Sequence, residues 1–192
     1  MRFPRFLLAA LLALTALPAL ATGEIESLIT PADRARLANY DATRAEALKE
    51  ARAKGSAADI AVLDAAVGPA AKSFADFDMT GEWRCRTIKV GGFAELIAYG
   101  WFKCRVTDDG SGWTLQKLTG SQRTKGRFFT DSDTRLTYLG SGAVNDDPFP
   151  AYGTGPDSDQ AGYAFRTGAS SWRIELPAPR YESRLDILEF RR

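Results

Sequence analysis

The chain has 192 residues and a formal net charge of +1, from 25 Lys and Arg against 24 Asp and Glu, so its overall charge does not indicate nucleic-acid binding. It contains no histidine, which excludes Ser-His-Asp and Cys-His nucleophilic sites as well as imidazole metal sites. An enzyme would have to use Asp, Glu, Lys or Tyr. The sequence therefore favours a non-catalytic protein with no cofactor and no bound metal.

The first residues have the pattern of a secretory signal. Arg2 and Arg5 precede an apolar run over residues 6–17, and the helix-breaking Pro18 is followed by Ala19-Leu20-Ala21. The apolar run is shorter than the roughly 18–20 residues that cross a bilayer, so we expect no membrane span. We predict a signal peptide over residues 1–21, cleaved after Ala21, and a periplasmic protein.

Two helices are expected next, and together they form a helical hairpin over residues 22–71. Thr30 is a suitable N-cap with Pro31 in the first position, and the Ala-rich run that follows stops at Gly55. Ser56 caps a shorter helix that ends at Gly68. The apolar stripe of the first helix is thin, so we expect it to pack along the domain rather than form its core.

Beyond residue 72 the hydrophobic pattern changes to a period of two, which predicts a β domain over residues 72–192. The predicted strands cover residues 81–89, 96–107, 113–119, 121–130, 134–140, 160–167, 172–176 and 185–190. Short turns between them favour a meander. The predicted fold class is α+β and mainly β, with the helical hairpin packed beside a roughly eight-stranded antiparallel meander barrel; a two-sheet β-sandwich is the alternative.

The only two cysteines, Cys85 and Cys104, are predicted to form a disulfide, because an exported protein folds in an oxidising compartment. A hairpin turn centred on Gly91 and Gly92 would place the two cysteines too far apart to bridge. Centring the loop on Ala94 and Glu95 places them directly opposite each other. The disulfide therefore predicts a wide loop over residues 90–95.

Three features are candidates for ligand binding. Arg123, Lys125 and Arg127 alternate along one predicted strand and so share one face, as an anionic ligand site requires. The long connection over residues 141–159 has the length of a lid or binding loop and carries Tyr152. Trp83 opens the first strand and is placed to lie at one end of the barrel. The acidic parts of the long connection lack the spacing of an EF-hand calcium loop, so we expect no metal there.

Several short strings occur in one order along the chain: Gly81-Glu-Trp-Arg-Cys-Arg86, Tyr99-Gly-Trp-Phe-Lys-Cys-Arg105, Leu118-Thr-Gly-Ser-Gln-Arg-Thr-Lys-Gly126, Tyr138-Leu-Gly140 and Leu176-Pro-Ala-Pro-Arg-Tyr-Glu-Ser183. Together they resemble an exported bacterial family, domain of unknown function 4893, over nearly all of the chain after residue 21. The resemblance implies export and a single domain, and it assigns no activity and no site.

Gly81-x-Trp83 at the start of the first strand also resembles the start of lipocalin-type barrels. This looser resemblance implies that Trp83 plugs the closed end, that an arginine near the last strand packs across it, and that the interior holds a ligand. Arg184, Arg191 and Arg192 are available for that role. The chain also resembles small periplasmic metalloprotease inhibitors, which combine an early Trp, one disulfide and export in the same way.

The sequence leaves two classes of function open. One is the binding of a small or anionic envelope ligand by Trp83, Arg123, Lys125, Arg127 and Tyr152, without catalysis. The other is a protein-interaction module, such as a protease inhibitor or an envelope assembly factor. The first predicts a cavity, and the second predicts an exposed apolar patch.

Overall fold

A computed structural model describes residues 22–192; the predicted signal peptide and its cleavage site lie outside the described residues. The helices are α1 (Thr22–Leu28), α2 (Pro31–Ala38), α3 (Tyr40–Lys54) and α4 (Ala57–Val67). The strands are β1 (Gly81–Val90), β2 (Leu96–Ala98), β3 (Phe102–Asp108), β4 (Trp113–Lys117), β5 (Gln122–Ser132), β6 (Arg135–Val144), β7 (Asp159–Arg166), β8 (Ser171–Pro177) and β9 (Leu185–Arg191).

The strands form a closed antiparallel barrel. From β3 to β9 each strand pairs with its neighbour in the chain, and β1 pairs with both β3 and β9. Closure leaves no open sheet edge among these eight strands. The short β2 is a ninth strand that pairs with the far end of β1, at Ile88, Lys89 and Val90. The predicted eight-stranded meander barrel is confirmed, and the sandwich alternative is not what the chain forms.

The caps at Thr30 and Ser56 are confirmed, because their hydroxyl oxygens accept hydrogen bonds from the backbone N–H groups of Asp33 and Asp59. The prediction of one continuous helix up to Gly55 was wrong. Asn39 has φ −96° and ψ 8°, and its side-chain amide donates to the carbonyl oxygen of Ala35 at 3.0 Å. An amide side chain that competes in this way for backbone groups divides the helix into α2 and α3.

The predicted second strand is also divided, because residues 99–101 interrupt it between β2 and β3. The disulfide between Cys85 and Cys104 is present, with a Cα–Cα distance of 5.9 Å. Its predicted register was wrong by two residues: Cys104 lies opposite Trp83, and Cys85 lies opposite Phe102. The bridge therefore runs diagonally. Residues 99–101 lie between the two segments that pair with β1, and they accommodate the difference in register between the β1–β2 and β1–β3 pairings.

One half of the barrel interior is filled with apolar side chains. Trp83 is 3% exposed, meets Trp172 edge to face at 5.7 Å, and donates its indole N–H to the carbonyl oxygen of Met79. Phe74 and Phe77, in the segment before β1, belong to the same core. The guanidinium of Arg192 lies 3.9 Å from the centre of the Trp83 ring, so this end is plugged.

The outer wall of the barrel carries two further apolar clusters. One lies between the hairpin of α3 and α4 and the outer faces of β1 and β9, and includes Leu48, Leu63 and Ile187. The other lies under α1 and α2, against β5 to β7. The helices therefore cover the wall and stay outside the barrel core. Within residues 22–192, no helix combines the length and the apolar character that crossing a membrane requires.

Candidate binding groove on the barrel wall

A cavity of about 710 Å³ lies against the outside of the barrel. Outward-facing side chains of neighbouring strands form its base in two rows. One row contains Arg105, Gln116 and Lys125. The other contains Thr114, Arg127 and Leu139. Its apolar part is completed by Phe129, Leu28, Phe149 and Pro150. Because the cavity lies on the outer wall of the barrel, we name it the wall groove.

The two central cations of the wall groove differ in how they are held. Lys125 is exposed and makes no ion pair with any described residue. Arg127 donates through Nη2 to the carbonyl and hydroxyl oxygens of Ser111, each at 2.9 Å, and lies 3.5 Å from a Glu24 oxygen. Its Nε is buried without a hydrogen-bond partner among the described residues. The wall groove thus contains one positive charge without an ion pair among the described residues, that of Lys125, and one that is held in place, that of Arg127.

The long loop over residues 145–158 forms the far side of the wall groove. Ser141 donates its hydroxyl to the carbonyl oxygen of Pro150 at 2.6 Å, which fixes the loop to β6. Tyr152 donates to a carboxylate oxygen of Asp33 at 2.8 Å and accepts from the N–H of Thr30, which fixes the loop to α2. Burial raises the pKa of Tyr152 to about 12. Its proton is used by Asp33, so the hydroxyl cannot donate to a ligand, while its ring lines the wall groove.

The other predicted site residues lie elsewhere. Arg123 shares the outer face of β5, but its Nη1 binds Asp146 at 2.9 Å and its Nε binds the carbonyl oxygen of Gly120. It lines a second cavity of about 300 Å³ at the open end of the barrel. Trp83 lines neither cavity, because it plugs the opposite end. The structure therefore brings together Lys125, Arg127 and Tyr152, and separates Arg123 and Trp83 from them.

Sequence reasoning missed the apolar base of the wall groove. Phe129 and Leu139 were assigned to strands, yet both face outward and are buried under α1 and the long loop. The available signal was that Phe128 and Phe129 are adjacent in β5, so one of them has to face outward. An outward Phe next to Arg127 predicts a mixed cationic and apolar surface. No three acidic or cysteine side chains in residues 22–192 are grouped so that they would hold a metal ion.

Comparison with curated proteins gave no match, and comparison with solved structures gave none either. A family model does match, over residues 26–190, and so covers the end of α1, the other three helices and nearly all of the barrel. The matched range includes all the residues that line the wall groove. The chain therefore belongs to the family described as Domain of unknown function (DUF4893).

Proposed function

We propose that this protein is a non-catalytic binding protein of the bacterial periplasm, whose wall groove takes a small anionic ligand with an apolar part. The observation that supports this proposal most directly is the composition of the groove. Lys125 and Arg127 stand beside the apolar Phe129 and Leu139, with Phe149 on the loop side. Anionic ligands with an apolar body match such a surface, because apolar area supplies affinity and a few charges orient the ligand.

The proposal can be tested with 8-anilinonaphthalene-1-sulfonate as the probe, which joins an aromatic body to one sulfonate. We expect Lys125→Gln to weaken its binding about tenfold, the equivalent of about 1.4 kcal/mol. The uncharged N-phenyl-1-naphthylamine should bind both proteins equally well, because it lacks the anionic group. Fluorescence titration measures both affinities.

Lys103→Gln is the matched control. Lys103 is also an exposed lysine on the outer wall, but it does not line the wall groove. Its replacement changes the net charge by the same amount, so it reports any general effect of charge on the probe. If the two variants weaken sulfonate binding equally, the wall groove is not the anion site and the proposal is wrong.

Exposed apolar residues favour protein interaction as a second candidate function. Phe93 is 95% exposed at the tip of the loop formed by residues 91–95. That loop is held firmly: Glu50 accepts from the N–H of Gly92 at 3.0 Å, and the N–H of Ala94 donates to the carbonyl oxygen of Glu182. Hydrogen bonds from Gly92, Lys54 and Arg184 together lower the pKa of Glu50 to about 2, so the carboxylate stays ionised and keeps supporting the loop in mild acid. A rigid loop that presents an aromatic side chain is suited to an interaction hot spot.

Native mass spectrometry of the protein purified from the periplasm of its own host separates the two functions. A small adduct that is lost on denaturation supports ligand binding in the wall groove. A protein-sized partner supports the interaction module, and Phe93→Ser should then abolish it. Because Phe93 is almost fully exposed, this substitution is expected to leave the free energy of unfolding unchanged within about 0.5 kcal/mol.

A further inference from the structure

The open half of the barrel interior is polar and carries buried charges. Alternation along β1 turns Thr87 and Lys89 inward, and both are buried. Lys117 of β4 and Asp186 of β9 also face inward, at 5% and 8% exposure. Placing charges inside a barrel is costly unless each one has a partner.

Lys89 has such partners, whereas Lys117 does not. The Lys89 ammonium lies 3.1 Å from a carboxylate oxygen of Asp186 and 3.6 Å from one of Glu182. Asp186 also accepts a hydrogen bond from Ser183. Lys117 donates to the hydroxyl oxygen of Thr87 at 3.2 Å, and no carboxylate of the described residues lies within 4 Å of it.

Other neighbours do not balance the Lys117 charge. Its ammonium lies 4.4 Å from the centre of the Phe102 ring, a contact that supports a cation but supplies no anion. Burial, which the opposing attraction of Asp186 offsets only in part, lowers the pKa of Lys117 together with the nearby charges of Lys89 and Arg123, to about 8. Lys117 therefore remains mostly protonated at neutral pH. Thr87 accepts from one of its three N–H groups, and the other two have no partner among the described residues.

A small chamber of about 60 Å³ lies beside this ammonium. Its walls are formed by Thr87, Lys89, Tyr99, Phe102, Lys117, Ser121 and Gln122. The hydroxyl of Thr87 accepts from Lys117, which leaves its own proton free to donate. The chamber has room for an anion of a few heavy atoms, since a single water needs only about 10–15 Å³. It shares Lys89 and Gln122 with the larger cavity at the open end.

We propose that this chamber is a second binding site, separate from the wall groove, for a small anion of carboxylate size held by Lys117 with Thr87, Ser121 and Gln122 as neutral donors. The anion supplies the direct counter-charge that no described carboxylate gives to Lys117 within 4 Å.

Sodium formate is a suitable probe, tested at constant ionic strength against sodium gluconate, whose anion is too large for the chamber. In protein labelled with ¹³C-lysine, we expect formate to shift the Lys117 Cε resonance with saturation, whereas gluconate leaves it unchanged. The pKa of Lys117 should rise by about one unit at a formate concentration ten times Kd, because the anion binds the charged form. Lys117→Arg identifies the resonance by its absence.

Variants give an independent readout. We expect formate to raise the melting temperature of the natural protein and of Lys125→Gln, but not of Lys117→Met. In gluconate, Lys117→Met should melt no lower than the natural protein, because it removes a buried charge without a partner. If Lys117→Met does not fold, the response of the Lys117 Cε resonance to formate in the natural protein tests the proposal by itself. A Lys117 signal that moves equally in both salts, or not at all, would overturn the proposal.

Discussion

Replacing Glu175 with Ala is expected to destabilise the folded protein by about 3–5 kcal/mol, the cost of breaking a buried ion pair from one side. Glu175 lies on the outer face of β8, is 0% exposed, and joins the barrel to α3. One carboxylate oxygen binds Arg44 at 2.6 Å and Tyr40 at 2.8 Å, and the other binds Arg173 at 2.7 Å. Its loss leaves two guanidiniums facing each other without a counter-charge.

Urea-induced unfolding followed by tryptophan fluorescence measures this effect. Tyr40→Phe is the matched control, because it removes one hydrogen bond from the same carboxylate and leaves both ion pairs; we expect it to cost about 1 kcal/mol. Equal losses in Glu175→Ala and Tyr40→Phe would contradict the assignment. They would show that Glu175 acts only as a hydrogen-bond acceptor.

The same cluster predicts how stability depends on pH. Burial acts to raise the pKa of Glu175, but the attraction of Arg173 and Arg44 outweighs it and places the pKa below the ordinary value of 4.5. A group with a lowered folded-state pKa stabilises the protein above its unfolded pKa and loses this effect as pH falls through the folded value. The natural protein should therefore lose stability below about pH 4.5 more steeply than Glu175→Gln.

Glu175 also shows where sequence reasoning stops. In β8 every residue from Trp172 to Pro177 is buried, and in β9 every residue from Leu185 to Phe190 is buried. An alternating pattern reveals the inner face of a strand only when the outer face meets water. Here helices cover the outer face, so the sequence could not distinguish the core side of these strands from the helix side.

Local chemistry was easier to predict than long-range packing. The caps at Thr30 and Ser56 depend on neighbouring residues only, and both were correct. The pairing of Cys85 with Cys104 followed from composition, but its register depended on the interruption over residues 99–101, which no local pattern reveals. Likewise, the shared face of Lys125 and Arg127 was predictable, whereas the loop that turns this face into the wall groove was not.

Removing the disulfide is the second change expected to have a large effect. The double substitution Cys85→Ala and Cys104→Ala should lower the free energy of unfolding by about 3 kcal/mol, since the bridge closes a loop of 19 residues in the unfolded chain. The position of the bridge adds a local consequence. Cys85 is the last residue of β1 that pairs with β3, and from Ile88 onward β1 pairs with β2.

The bridge therefore fixes β1 at the point where its pairing changes from β3 to β2. The other edge of β1 pairs with β9 and closes the barrel. Without the bridge, we expect amide hydrogen exchange to accelerate first in β2, β3 and residues 99–101, and least in β5 and β6, whose ladder is the longest in the barrel. Reductant should reproduce both effects in the natural protein and leave the double variant unchanged. Uniform acceleration over all strands would instead mean that the bridge stabilises the barrel as a whole, by restricting the unfolded chain alone.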